Sequence, residues 1–120
     1  MAHNCDAIIV SCIDFRFQKH IRNWLDKNFT NKTFDYVGFA GATKDLPTIM
    51  NQIDISVRLH SIKEVHLIHH EDCGAYGAES TPERHAEDLR KARDEINNKY
   101  PGLVVKIYYL LLDGEFAEVS

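Results

Sequence analysis

The sequence predicts an α/β fold: a three-layer, mainly parallel sheet with helices on both faces. Three observations carry that prediction. Short β-rich apolar runs alternate with longer segments of helical period. The intervals between the runs are helix-length, as parallel strands joined by right-handed crossovers require. The first and last runs, Ala7-Ile8-Ile9-Val10 and Leu103 to Leu112, are strongly apolar, which suits strands covered on both sides.

Taken in order, Ala7 to Val10 reads as the first strand, and Phe17 to Asn28 as a helix with Ile21, Trp24 and Leu25 on one side. Thr33 to Phe39 is the second strand, closed by the turn-prone Ala40-Gly41-Ala42. Asp45 is a good N-cap with Pro47 in the first turn behind it, and Ile49, Met50, Ile53 and Val57 recur at helical spacing. Glu64 to His69 is the third strand. Thr81-Pro82-Glu83 opens a helix whose buried stripe is Ala86, Leu89, Ala92, Arg93 and Ile96, and Pro101-Gly102 ends it. Leu103 to Leu112 is the fourth strand, with a turn at Asp113-Gly114. The order is β-α-β-α-β-α-β, and strand order 2-1-3-4 makes strands one and three neighbours.

The 120 residues suffice for one hydrophobic core, so a single domain over residues 1–120 is expected. Fourteen basic and eighteen acidic residues leave a net charge of -4, which offers no electrostatic reason to expect nucleic acid or an anionic membrane. The first residues lack a basic and then apolar secretory pattern, and the apolar runs are shorter than a membrane span. A cytoplasmic location follows as the expectation. Three cysteines are an odd number, so in that reducing setting metal binding, catalysis or inert burial are the open fates of each.

Doubly wound sheets bind ligands beyond the carboxyl ends of their strands. Two clusters lie there: Cys12-Ile13-Asp14-Phe15-Arg16 after strand one, and His69-His70-Glu71-Asp72-Cys73-Gly74 after strand three. Thiolate and imidazole donors suit zinc, and Cys12, His70 and Cys73 would supply three. His70 and Cys73 converge if the chain turns tightly, and Gly74 would permit that path. Three protein donors leave a fourth position open, the catalytic pattern rather than the structural one. Asp14 could accept a hydrogen bond from zinc-held water, and Arg16 could hold that carboxylate ionised. Singly, each piece is weak: a lone cysteine after a strand is usually structural, and an Asp-x-Arg pair is usually a surface ion pair. The two clusters together point to zinc, one ion per chain.

These residues resemble a known family. Cys12-Ile-Asp14-Phe-Arg16 is similar to the Cys-x-Asp-Ser-Arg signature of β-class carbonic anhydrases, and His70-Glu-Asp72-Cys73-Gly74 to their His-x-Asp-Cys-Gly signature. Phe39-Ala40-Gly41, Ile53 to Leu59, Ile62 to His70 and Ile107 to Gly114 extend the likeness across most of the chain. The resemblance implies reversible hydration of carbon dioxide to bicarbonate and a proton, with a zinc-bound hydroxide as nucleophile. It implies Cys12, His70 and Cys73 as zinc ligands, Asp14 and Arg16 as catalytic dyad, and a homodimer or higher homo-oligomer. It also implies two states, an open one and a closed one in which Asp14 takes the fourth zinc position. Phe15 stands where the family commonly has serine, Glu71 replaces a threonine or serine, and Gly38-Phe39 replaces Arg-Asn. Phe15 and Phe39 are therefore candidates either for an apolar pocket or for packing.

Two other readings are carried alongside: a hydrolase of a related small molecule, carbon disulfide or carbonyl sulfide, and a catalytically silent zinc module of the same fold. The Asp14–Arg16 pair favours an enzyme, because a structural zinc needs no orienting dyad. Among the other histidines, His69 should face away from His70, and His66 should share its face. His3, His20, His60 and His85 are expected to be exposed or half-exposed. Tyr76 and Glu71 are candidate proton relays, and Cys5 reads as an incidental thiol.

Overall fold

The structure, a computed structural model, describes residues 3–120. Strands β1 (Ala7–Ser11), β2 (Phe34–Gly38), β3 (Glu64–His70), β4 (Val104–Leu110) and β5 (Phe116–Val119) form one sheet in the order β2-β1-β3-β4-β5. The first four are mutually parallel, with Ile9 flanked by Tyr36 and His66, and Leu67 beside Ile107. The predicted order 2-1-3-4 is the one found, and β5 extends it antiparallel to β4.

That fifth strand is an addition to the sequence reading. Asp113 and Gly114 form the predicted turn, with Gly114 at φ 94°, and the chain then folds back along β4. The turn is closed by bonds from Leu111 N to Glu115 O and from Gly114 N to Leu111 O.

Helices α1 (Gln18–Asn28), α2 (Leu46–His60) and α3 (Pro82–Lys99) supply the outer layers. The two-residue alternation of the strands divides the core between them. Ile8, Val10, Val65, Leu67 and Ile107 pack with Leu46, Ile49 and Ile53 of α2 and with Leu89, Ala92 and Ile96 of α3. Ala7, Ile9, Ile68, Tyr108 and Leu110 turn the other way, to Phe17, Ile21, Trp24 and Phe29 at α1. Each large aliphatic side chain buried here contributes about 1.5–3 kcal/mol, offset by ordering entropy.

Two of the helix starts are as the sequence predicts. The Asp45 carboxylate accepts from Thr48 N ahead of α2, and Thr81 Oγ1 accepts from Arg84 N ahead of α3. Both place proline in the first turn, where its missing N–H costs nothing. Trp24 lies flat on Phe116, ring centroids 4.8 Å apart, so β5 is fastened to α1 as well as to β4. Among the described residues no helix is long and apolar enough to cross a membrane.

Candidate metal centre

The carboxyl ends of β1 and β3 bring the two predicted clusters together. The donor atoms of Cys12, His70 and Cys73 all lie within 4.8 Å of one another, and all three residues are buried. A tetrahedral zinc with roughly 2.0 Å nitrogen and 2.3 Å sulfur bonds separates its donors by roughly 3.5–3.8 Å, which lies within that span.

Cys12 follows β1 directly, and its sulfur accepts the Gly41 backbone N–H at 3.4 Å. Gly41 occupies φ 80°, where a Cβ would meet Lys44 Cβ at 3.1 Å and Ala75 Cβ at 3.2 Å. His70 ends β3 on the α1 face, its ring 4.2 Å from that of Phe17. Its Nδ1 lies 2.7 Å from the Glu71 carbonyl, which can only accept, so the ring proton resides there. The lone pair is thereby left on Nε2, which is buried and has no hydrogen-bond partner. A buried imidazole nitrogen without a partner is costly unless it binds something, and two sulfurs beside it are what a borderline cation needs. The residues present fit zinc.

Cys73 reaches the group through a turn in which Asp72, not Gly74, takes the left-handed conformation, at φ 56°. Aspartate tolerates that region better than most residues. The expectation that Gly74 enables the path is corrected accordingly; a Cβ on Gly74 would meet nothing within 4 Å.

Electrostatically the group attracts a cation. Cys12 is held well below the ordinary thiol range, chiefly by the neighbouring Cys73 thiol, with His70 and the Gly41 N–H also favouring the thiolate. Cys73 is pushed the opposite way by the same neighbour and by burial. At His70, burial opposes charge, yet attraction to Cys12 and Asp14 and the bond to the Glu71 carbonyl carry the ring above its ordinary value.

Asp14 and Arg16 form an ion pair, and the same carboxylate is a local cap. Asp14 Oδ1 accepts the Arg16 backbone N–H at 2.9 Å, capping a single 3-10 turn at Phe15–Phe17 that leads into α1. The Arg16 guanidinium grips the same carboxylate at 2.7–3.2 Å through Nη2 and Nε. Its remaining edge donates to Asp72 Oδ2 at 3.0 Å and to the Asp72 carbonyl at 2.8 Å. Arg16 thus ties the β1 loop to the β3 loop. Its hydrogen bonds keep the Asp14 carboxyl below the usual carboxylate range.

Behind the centre runs a buried hydrogen-bonded chain that the sequence reading missed. Cys73 N donates to Ser80 Oγ at 2.8 Å, which is 2.9 Å from His85 Nε2. His85 Nδ1 lies 2.8 Å from His69 Nδ1, and His69 Nε2 lies 2.6 Å from Thr43 Oγ1. The chain joins the Cys73 loop to the Gly41–Thr43 turn that holds Cys12. His85 is therefore wholly buried, where exposure was expected. Its place four residues before Leu89 and seven before Ala92, on the apolar stripe of α3, was the available signal.

Of the candidate relay residues, Tyr76 packs against Cys12 and Cys73, but its hydroxyl and the Glu71 carboxylate are bonded away from the centre. Tyr76 Oη donates to Asp88 at 2.5 Å, and Glu71 Oε1 accepts from Leu112 N at 2.8 Å. Phe39 packs against the core, while Phe15 is 85% exposed. His66 shares the His70 face as expected, bonded to Tyr108 and Glu64.

A family model described as "Putative carbonic anhydrase" matches residues 2–120. The chain belongs to that family. An uncharacterized protein of Rickettsia conorii is 32% identical over 98% of this chain and 73% of its own length. A second, from Rickettsia bellii, is 29% identical over 98% of this chain and 83% of its own. Among solved structures the fold is similar to a carbonic anhydrase from Streptococcus mutans, with TM-score 0.72 and 17% identity over 99% of this chain and 84% of that one. A carbonic anhydrase from Glaciozyma antarctica gives TM-score 0.72 at 17% identity, covering all of this chain and 85% of the other. The fold is similar to that of these carbonic anhydrases, and the Cys12, His70 and Cys73 group lies at the carboxyl ends of β1 and β3.

Proposed function

We propose that this chain is a zinc-dependent carbonic anhydrase, interconverting carbon dioxide with bicarbonate and a proton. The observation that carries the reading is the partnerless Nε2 of His70, aimed at two cysteines beside an arginine-held aspartate. Cys12, His70 and Cys73 hold one zinc per chain. Zinc bound there supplies a Lewis acid and makes water a competent nucleophile near neutral pH.

The remaining chemistry belongs to the chain. Asp14, ionised and fixed by Arg16, accepts a hydrogen bond from the reacting water and orients its lone pair toward carbon dioxide. Asp14 Oδ2 stands 3.9 Å from His70 Nε2 and 2.7 Å from Arg16 Nη2, which places the arginine-held carboxylate beside the proposed metal position. Arg16 keeps the carboxylate from competing for the metal. The cysteines are free thiols, as a reducing cytoplasmic setting would keep them.

A homodimer belongs to this reading. The β2 edge is unpaired and carries Phe34 and Tyr36 partly open to solvent, next to the exposed Ile13 and Phe15 of the dyad loop. A second copy covering that edge would remove both liabilities.

Stopped-flow hydration of carbon dioxide by protein of measured zinc content tests the function, with carbonyl sulfide and carbon disulfide as parallel substrates. Hydration proportional to the zinc held at Cys12, His70 and Cys73 is expected. Full zinc occupancy without hydration between neutral and mildly alkaline pH would refute it.

A further inference from the structure

A second group of metal-ligand type lies at the opposite end of the sheet. The donor atoms of Cys5, Asp35 and His60 fall within 4.8 Å of one another. Cys5 precedes β1, Asp35 is the second residue of β2 and His60 the last of α2. The five residues of β1 separate this group from Cys12, roughly 17 Å at about 3.3 Å per residue.

The group is built rather than accidental. Cys5 N donates to His60 O at 2.9 Å, fixing the arm against the end of α2, and Lys63 N donates to Asp6 O at 2.9 Å just beyond. Asp35 Oδ2 accepts from Ser56 Oγ at 2.6 Å and lies 2.7 Å from His60 Nδ1. All three residues are half-buried, and a cavity of about 250 Å³ opens beside Asp35, Ser56 and His60. The His3 ring is 6.3 Å from that of His60, within side-chain reach as a fourth donor.

Two other uses of such residues fit poorly. A nucleophilic thiol needs a depressed pKa, whereas burial and the Asp35 charge push Cys5 up, and its Sγ donates to Ala7 O at 3.5 Å. A serine nucleophile needs a histidine base, whereas Ser56 bonds to Asp35. One thiol, one imidazole and one carboxylate are the mixed donor set of a borderline divalent cation.

We propose that Cys5, Asp35 and His60 form a second site for a divalent transition metal of the zinc class, fastening the arm before β1 to α2. Binding is ligand exchange without redox change: sulfur gives its lone pair to the metal and its proton to solvent. Ser56 positions the carboxylate. The site is independent of the carbonic anhydrase reading, being at the other end of every strand.

The test is the zinc stoichiometry of the full chain, titrated with zinc alone and freed of loosely held ion. Two zinc per chain are expected, falling to one in Cys5→Ser and separately in His60→Gln, with carbon dioxide hydration unchanged in both. Cys12→Ser should also fall to one, and Cys5→Ser with Cys12→Ser to none. Cobalt(II) loading gives a second readout, because Cys5→Ser should lose part of the thiolate charge-transfer band. A Cys5→Ser chain that takes as much zinc as wild type, whether one or two per chain, overturns the proposal. Loss of the Cys12 site alone, with Cys5-dependent zinc retained, would count against the first reading and leave this one standing.

Discussion

Nη2 of Arg16 lies 2.7 Å from Oδ2 of Asp14, and the same guanidinium donates to Asp72 on the facing loop. The pair is therefore both an electrostatic clamp and a strap across the centre. Asp14→Ala should keep one zinc at Cys12, His70 and Cys73 yet lower carbon dioxide hydration by about 100-fold, the scale of a lost proton-handling group. Arg16→Gln should lower it by roughly 10–100-fold, since the carboxylate is then free to approach the metal. Stopped-flow rates beside metal analysis check both, and an unchanged rate in Asp14→Ala would remove its role.

The Ser80 hydroxyl takes the Cys73 N–H and connects that loop to His85. Ser80→Ala should cost about 1–3 kcal/mol, because a buried donor and an imidazole both lose a partner. Zinc affinity, read by competition with a chromophoric chelator, should weaken by roughly 10–100-fold, as for other groups that orient a ligand. Ser80→Thr should recover much of that affinity if the hydroxyl is what matters.

His69 and His85 predict an acid-side loss of stability. Burial brings His69 down to about 3, with His85 adding to it, and burial brings His85 down to about 4, with His70 adding to it. In the unfolded chain both titrate near 6.5. Above that pH neither state is protonated and the pair contributes no slope. Between about 6.5 and 4 the unfolded chain binds protons that the native one refuses, so stability falls as pH falls. Each histidine contributes at most about 1.4 kcal/mol per pH unit. Urea unfolding of zinc-loaded protein at pH 7.5, 6 and 5 should show a shallower decline in His85→Asn than in wild type; equal slopes would contradict the argument.

Gly41→Ala tests the turn that presents an N–H to Cys12. The left-handed backbone and the close Cβ atoms of Lys44 and Ala75 together should cost about 1–3 kcal/mol. Thermal unfolding measures that cost. Zinc affinity should drop with it, whereas Gly74→Ala, with open space around its Cβ, should be near neutral.

The legible parts of this molecule were those with local signals. Ala7 to Val10 and Glu64 to His69 declare themselves as strands, and proline with a capping residue marks α2 and α3. The ligand candidates were legible because Cys12 and the His70–Cys73 pair each sit at a strand's carboxyl end. Phe116–Val119 was not: four residues of mixed exposure carry no period, and the strand exists by virtue of β4 beside it. His85 was hidden by its identity, since a histidine on an apolar stripe reads as polar unless its partners Ser80 and His69 are known. Cys5 read as solitary because Asp35 and His60 reach it only through the fold. The second anchor of Arg16 likewise comes from 56 residues away.

Trp24 is the one tryptophan of the chain, and it is stacked on Phe116 at an interplanar angle of 9°. Its emission is therefore a private optical channel for the closing hairpin, on the sheet face opposite the core that Cys5 packs against. Detachment of β5 would alter fluorescence while circular dichroism of the helices stayed constant. A departure of the two signals from a common transition would reveal a sheet that peels from its antiparallel edge before it melts.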